Sequence, residues 1–122
     1  MNLKKIWDNA VEEHNSGNYH EAHELFEDLC LELDDRREKD TVQTLAQADA
    51  LAVHIQTGNI RAAQRLMRQL PELVQTFPSS YNGIDLREMR VWIDEMIANI
   101  PSSGEIRIVT GTEPPKLIKS RS

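Results

Sequence analysis

Residues 41–57 limit what this chain can fold into more than any other stretch, because they are apolar almost all the way round a helix. Val42, Leu45, Ala46, Ala48, Ala50, Leu51, Ala52, Val53 and Ile55 recur at the helical period and cover more than one face. A helix with that composition must be packed on several sides, so it predicts a central helix with others laid around it. One residue breaks the pattern. Asp49 falls in the middle of the stripe formed by Val42, Leu45, Ala46, Ala52 and Val53.

The flanking segments supply the packing partners. Residues 3–15 place Leu3, Ile6, Trp7, Ala10, Val11 and His14 on one stripe, and Asn15-Ser16-Gly17-Asn18 ends it with turn chemistry. Residues 19–33 carry a second stripe of Tyr19, Ala22, His23, Phe26, Leu29, Cys30 and Leu33. The charged run 34–40 reads as a solvated loop or helix end. Gly58-Asn59 stops the central helix. A fourth helix over 60–76 contains Pro71, which removes a backbone donor and predicts a kink or break. Residues 78–83 read as a loop. Asp85 with Glu88 three residues on is a capping-box pattern opening a fifth helix, with Leu86, Met89, Ile93, Met96, Ile97 and Ile100 on its apolar side. The expected fold is all-α: a compact bundle of about five helices arranged as hairpins, tetratricopeptide-like in local style.

Beyond Ile100 the helical pattern fails. Ser102-Ser103-Gly104, Gly111 and Pro114-Pro115 mark an extended segment in which only Ile106 to Val109 could make a short strand. The division is therefore a helical domain over 1–100 and a mobile tail over 101–122, whose removal should leave the core intact. A weak internal repeat relates the two hairpins: Gly17-Asn18 and Gly58-Asn59 each precede a helix, with Ala22 matching Ala63 and Leu25 matching Leu66. The period of 41 residues does not fit a tetratricopeptide solenoid.

Charge narrows the function classes. The chain carries a net −6 at neutral pH, and the excess negative charge lies in residues 1–100. A phosphate-tracking surface needs a basic face, so nucleic acid is not expected as a partner. No apolar run approaches the ~20 residues of a spanning helix, and no signal-peptide core follows Lys4 and Lys5, so no membrane association is expected. The lone Cys30 permits no internal disulfide and suits a reducing, cytoplasmic setting.

The stretch Asn18-Tyr19-His20-Glu21-Ala22-His23-Glu24-Leu25-Phe26-Glu27 resembles a bacterial and archaeal family known as Domain of Unknown Function 309. The resemblance extends through Gln43, Gln47, His54 and Gly58-Asn59 to Gly83-Ile84-Asp85-Leu86, or about residues 6–97. The chain looks like a divergent member, with Cys30 where the family usually has Trp, Thr44 where it has Gly, and Ala62 near a second Gly. The resemblance implies a compact helical fold and brings no established reaction.

Five residues could form a polar cluster: His14, His23, Glu27, Asp49 and His54. On antiparallel hairpins, His23 comes level with Asp49 or Ala50, His14 lies within about a turn of both, and His54 is level with Tyr19. Two readings follow. One is a hydrogen-bonded network inside the bundle, since buried polar groups find partners. The other is a metal-dependent or acid–base enzyme around His23, Glu27, Asp49 and His54. The metal motifs favour the network. His23-Glu24-Leu25-Phe26-Glu27 lacks the second His of His-Glu-x-x-His, and no His stands three residues after a Glu. No metal or cofactor is expected; were a metal bound, His23, Glu27 and His54 would be its ligands. Cys30 on the buried face reads as a small hydrophobe. The row Arg61, Arg65 and Arg68 is a solvated face by default, or a patch for an acidic partner. The primary functional expectation is a non-enzymatic interaction or adaptor module that binds a protein partner, with a homodimer as a further possibility.

Overall fold

Asn2 opens the first helix, α1 (Leu3–Asn15), by accepting the Lys5 N–H on its side chain. The computed structural model describes residues 2–105 and 112–120. α1 is followed by α2 (Tyr19–Glu32), α3 (Arg36–Gln56), α4 (Ile60–Leu66), α5 (Leu70–Val74) and α6 (Arg87–Asn99). α1 packs on α2, and α2 on α3, as successive hairpins; α3 also meets α4 and α5, and α5 meets α6. The all-α expectation holds for the architecture, with one small sheet added at its edge. No helix among the described residues is long and apolar enough to cross a membrane.

The weak repeat has a structural cause. At the end of α1, the Gly17 N–H donates to His14 O and the Asn18 N–H to Glu13 O. At the end of α3, Gly58 donates to Ile55 O and Asn59 to His54 O. Both are the paired closing bonds of a Schellman cap, and both need a residue at positive φ, here +81° at Gly17 and +72° at Gly58. The repeated dipeptide is thus one capping device used twice.

α3 is the central helix that its composition demands. Val42, Leu45, Ala46, Ala48, Asp49, Leu51 and Ala52 are all buried. It begins earlier than expected: the charged run is its first turn, capped by Asp35, whose side chain accepts the Glu38 N–H. The expected break at Pro71 is present, since α4 ends at Leu66 and Pro71 sits in the first turn of α5, where no backbone donor is missed.

Two expectations for residues 78–88 are corrected. The supposed loop holds a hairpin, β1 (Ser80–Tyr81) paired with β2 (Ile84–Asp85), with Ser80 opposite Asp85 and Tyr81 opposite Ile84. Asn82 and Gly83 both have positive φ, +48° and +78°, which suits a two-residue turn with the twist of the strands. Asp85 does not close a capping box with Glu88. It is held in the sheet, and its carboxylate accepts from the backbone and guanidinium of Arg87. Leu86 takes the N-cap position of α6 without a side-chain cap.

The tail expectation also fails for residues 112–120. β3 (Ile118–Lys119) pairs antiparallel with β2, with Ile84 opposite Lys119 and Asp85 opposite Ile118. Leu117, only 2% exposed, joins the core. The expected strand at Ile106 to Val109 lies outside the described residues.

Candidate functional site

The candidate cluster divides into a buried clasp and a polar row. His14, rather than His23, meets Asp49: Nδ1 lies 2.6 Å from Asp49 Oδ1, and both side chains are 1% exposed. The other ring nitrogen, Nε2, lies 2.8 Å from the Pro115 carbonyl. A carbonyl can only accept, so Nε2 carries a proton and donates it there. The Nδ1–Oδ1 bond holds a second proton. The pair therefore carries two protons and no net charge, the arrangement that a low-dielectric interior tolerates.

Its titration follows from the same geometry. Burial would push the His14 pKa down, but the hydrogen bond and charge of Asp49, helped by the Pro115 carbonyl, outweigh burial and raise it. Burial raises the Asp49 carboxyl, with His14 and His23 opposing. Tyr19 lies edge-on to the His14 ring, with centroids 5.4 Å apart, and screens it from water. Asp49 Oδ2 is buried without a partner among the described residues.

Asn15, the next residue along α1, completes the clasp. Its Nδ2 donates to Leu117 O at 2.8 Å and its Oδ1 accepts the Leu117 N–H at 2.7 Å. One side-chain amide thus pairs with the backbone of 117 as a neighbouring strand would. From sequence, Asn15 reads only as a helix stop. The signal for its partner was the apolar pair Leu117-Ile118 one residue after Pro114-Pro115, a pattern suited to a docked extended segment.

The remaining cluster members lie along the α2–α3 seam. His23 is half-buried, and its Nδ1–H donates to Ala46 O at 2.8 Å rather than to Asp49. Glu27 accepts from Gln43 Nε2 at 3.2 Å. His54, near the end of α3, is half-buried. Among the described residues no three His, Cys, Asp or Glu side chains gather closely enough to hold a metal ion, so His23, Glu27 and His54 do not form a ligand set. Among the described residues, none of the five lines the cavities beside α1, α4, α5 or the hairpin. His14 is deeply buried, and both of its ring nitrogens have hydrogen-bond partners.

A surface cavity of about 960 Å³ runs instead along α1. Trp7, Val11, Leu29, Leu33, Tyr81 and Ile84 give it an apolar floor. Tyr81 stands edge-on to Trp7, with centroids 5.2 Å apart, and its hydroxyl donates to Glu38 at 2.8 Å. Burial and the Glu38 carboxylate hold the Tyr81 pKa well above the usual phenol range. Asp8, Glu12 and Glu38 line the rim against Lys4 and Lys119, and Lys4 is already paired with Asp8 at 2.8 Å. The groove depends on the hairpin and on β3, and so on the two segments that apolar periodicity does not reveal.

Comparison with known families agrees with the motif in α2. The family model Domain of unknown function (DUF309) matches residues 7–66. This stretch belongs to DUF309. The DUF309 match spans Trp7 on α1 to Leu66 at the end of α4, and so includes His14, His23, Glu27, Asp49 and His54. Gly83 to Leu86, the hairpin, α6 and the docked C-terminal segment lie beyond it. No curated protein and no solved structure matches the chain.

Proposed function

We propose that this protein is a non-enzymatic interaction module of the cytoplasm, and that the groove beside α1 is its docking surface. The occupant it fits is an amphipathic helix of a partner protein with apolar residues on one face and Lys or Arg beside them. The observation that carries this reading is the groove's make-up: an apolar floor from Trp7, Val11, Leu29, Leu33, Tyr81 and Ile84, with three carboxylates at its edge. Helix-in-groove recognition uses such a floor for anchoring residues. Charges at the rim govern the choice of partner and the association rate more than raw affinity. The net −6 of the chain favours a basic partner in the same sense.

Selection from a displayed library of helical peptides tests the proposal. Enriched peptides should combine apolar anchors with Lys or Arg. They should shift the backbone amide signals of α1 and of 81–84, and lose binding to Val11→Asp. Enrichment of acidic peptides, or undiminished binding to a folded Val11→Asp variant, would refute it.

A further inference from the structure

A second cavity lies against α4. Arg61, Arg65 and Arg68 follow one another at helical spacing along and just beyond α4, so they share a face. Opposite them runs the segment 102–105, tied across the gap where Gln64 Nε2 donates to Gly104 O at 2.8 Å. Gly104 has φ +92°, a conformation that other residues rarely adopt, and this brings the backbone round to face the helix. The cleft so formed measures about 660 Å³ and is lined by the three arginines, Gln64, Ser102 and Ser103, with Glu105 at its edge.

Of the described arginines, Arg36, Arg87 and Arg90 each pair with a carboxylate, and Arg37 joins the three cleft arginines in having no ion pair. Among the described residues Arg61, Arg65 and Arg68 form no ion pair, although acidic side chains outnumber basic ones in this chain, 20 to 14. The charge of Arg65 is felt inside the fold: His54 has its pKa pushed down by burial first, then by Arg65 and His23.

We propose that the cleft between α4 and residues 102–105 binds a small, soluble, phosphate-bearing anion. Each guanidinium presents a planar fork of donors, and two serine hydroxyls stand opposite. That donor set exceeds what the two oxygens of a carboxylate can use. It suits a terminal phosphate, with three acceptor oxygens and a charge of about −1.5 to −2. The acidic body disfavours a long polyanion, which would run off the cleft onto carboxylates. Glu105 acts as an internal competitor at the mouth. This site shares no residue with the groove along α1, so either assignment can fail without the other.

The test is calorimetric titration of the full chain with pyrophosphate at fixed ionic strength, with chloride as the control. Binding should be saturable. Arg65→Gln should weaken it by about tenfold or more, the loss expected for one charge-assisted hydrogen bond. Glu105→Gln should tighten it. Followed by nuclear magnetic resonance, the bound anion should offset Arg65 and move the His54 titration to higher pH, and Arg65→Gln should abolish that response. Heat no greater than with chloride, unchanged affinity in Arg65→Gln, or an unmoved His54 titration at saturation would overturn the proposal. A lipid source is distinguished by sedimentation with vesicles of phosphatidylcholine and phosphatidic acid. The protein should stay in solution. Co-sedimentation without a pyrophosphate response would overturn assignment to a soluble ligand.

Discussion

Replacing Asp49 with alanine removes the acceptor from a His14 ring that is 1% exposed. Loss of one partner from a buried ion pair costs about 3–5 kcal/mol when the other must stay charged. His14 has an escape, since it can give up its Nδ1 proton and keep Nε2–H on Pro115 O. The cost at neutral pH then falls to that of an unsatisfied ring nitrogen and lost packing, about 2–4 kcal/mol. Proton linkage makes the prediction sharper. In the wild type the folded pKa of His14 is raised above 6.5, so the folded state binds more protons than the unfolded chain above that value. The stability from the pair is fully present below pH 6.5 and is lost as pH rises through the folded pKa. In Asp49→Ala burial, the largest influence, is opposed only by the Pro115 carbonyl, so the folded pKa should drop below 6.5 and stability should rise with pH through the same region. Urea unfolding across neutral pH should therefore give slopes of opposite sign, each at most about 1.4 kcal/mol per pH unit. Asp49→Asn keeps an acceptor for Nδ1–H and should cost about 1–2 kcal/mol at neutral pH, with the alkaline loss reduced. An Asp49→Ala variant within about 1 kcal/mol of wild type, or one with the wild-type slope, would refute the clasp.

Leu117→Ala empties a core position supplied by the C-terminal segment and should cost about 2–3 kcal/mol in chemical unfolding; a neutral result would show that this segment adds nothing to the core. The Cys30 thiol, pushed up to about 12 chiefly by burial, should resist a thiol reagent in the native state at mildly alkaline pH and react fully in urea; rapid native labelling would contradict its placement.

The elements that could be read from sequence are those with many residues of one period. α1, α2 and the core of α3 each carry a stripe long enough to fix phase, which with antiparallel hairpins put His14 within about a turn of Asp49 but set His23 level with it. His23 was placed too deep, because it lies at the α2–α3 seam and donates to the side of α3 at Ala46. The two-residue strands have no period to detect. Asn82-Gly83 was their one local signal, and the residues on either side are too few to show alternation. The start of α3 was hidden because a charged first turn looks like a solvated loop, although Asp35 and Glu38 stand where a helix cap needs them. Residues 112–120 were set apart for the same reason: two prolines and a few apolar residues carry no pattern until Asn15 and β2 supply their hydrogen bonds. The Glu27 partner, Gln43, comes from a helix face that an apolar stripe does not describe.

The bonds of His14 set an order of assembly. Its two partners are 35 and 101 residues away along the chain. Closing the longer loop costs about 1 kcal/mol more entropy than closing the shorter one, by (3/2)RT times the logarithm of their ratio. The α1–α2–α3 hairpins can form from nearby contacts, while the segment around Pro115 must be recruited from a distance, which places its docking late in folding. Interactions made after the folding barrier govern how fast a protein comes apart rather than how fast it forms. The clasp of Asn15 and His14 on residues 115–117 therefore acts as a brake on unfolding. The Leu117 amide, held by Asn15 Oδ1, is the hydrogen whose exchange reports when that brake lets go.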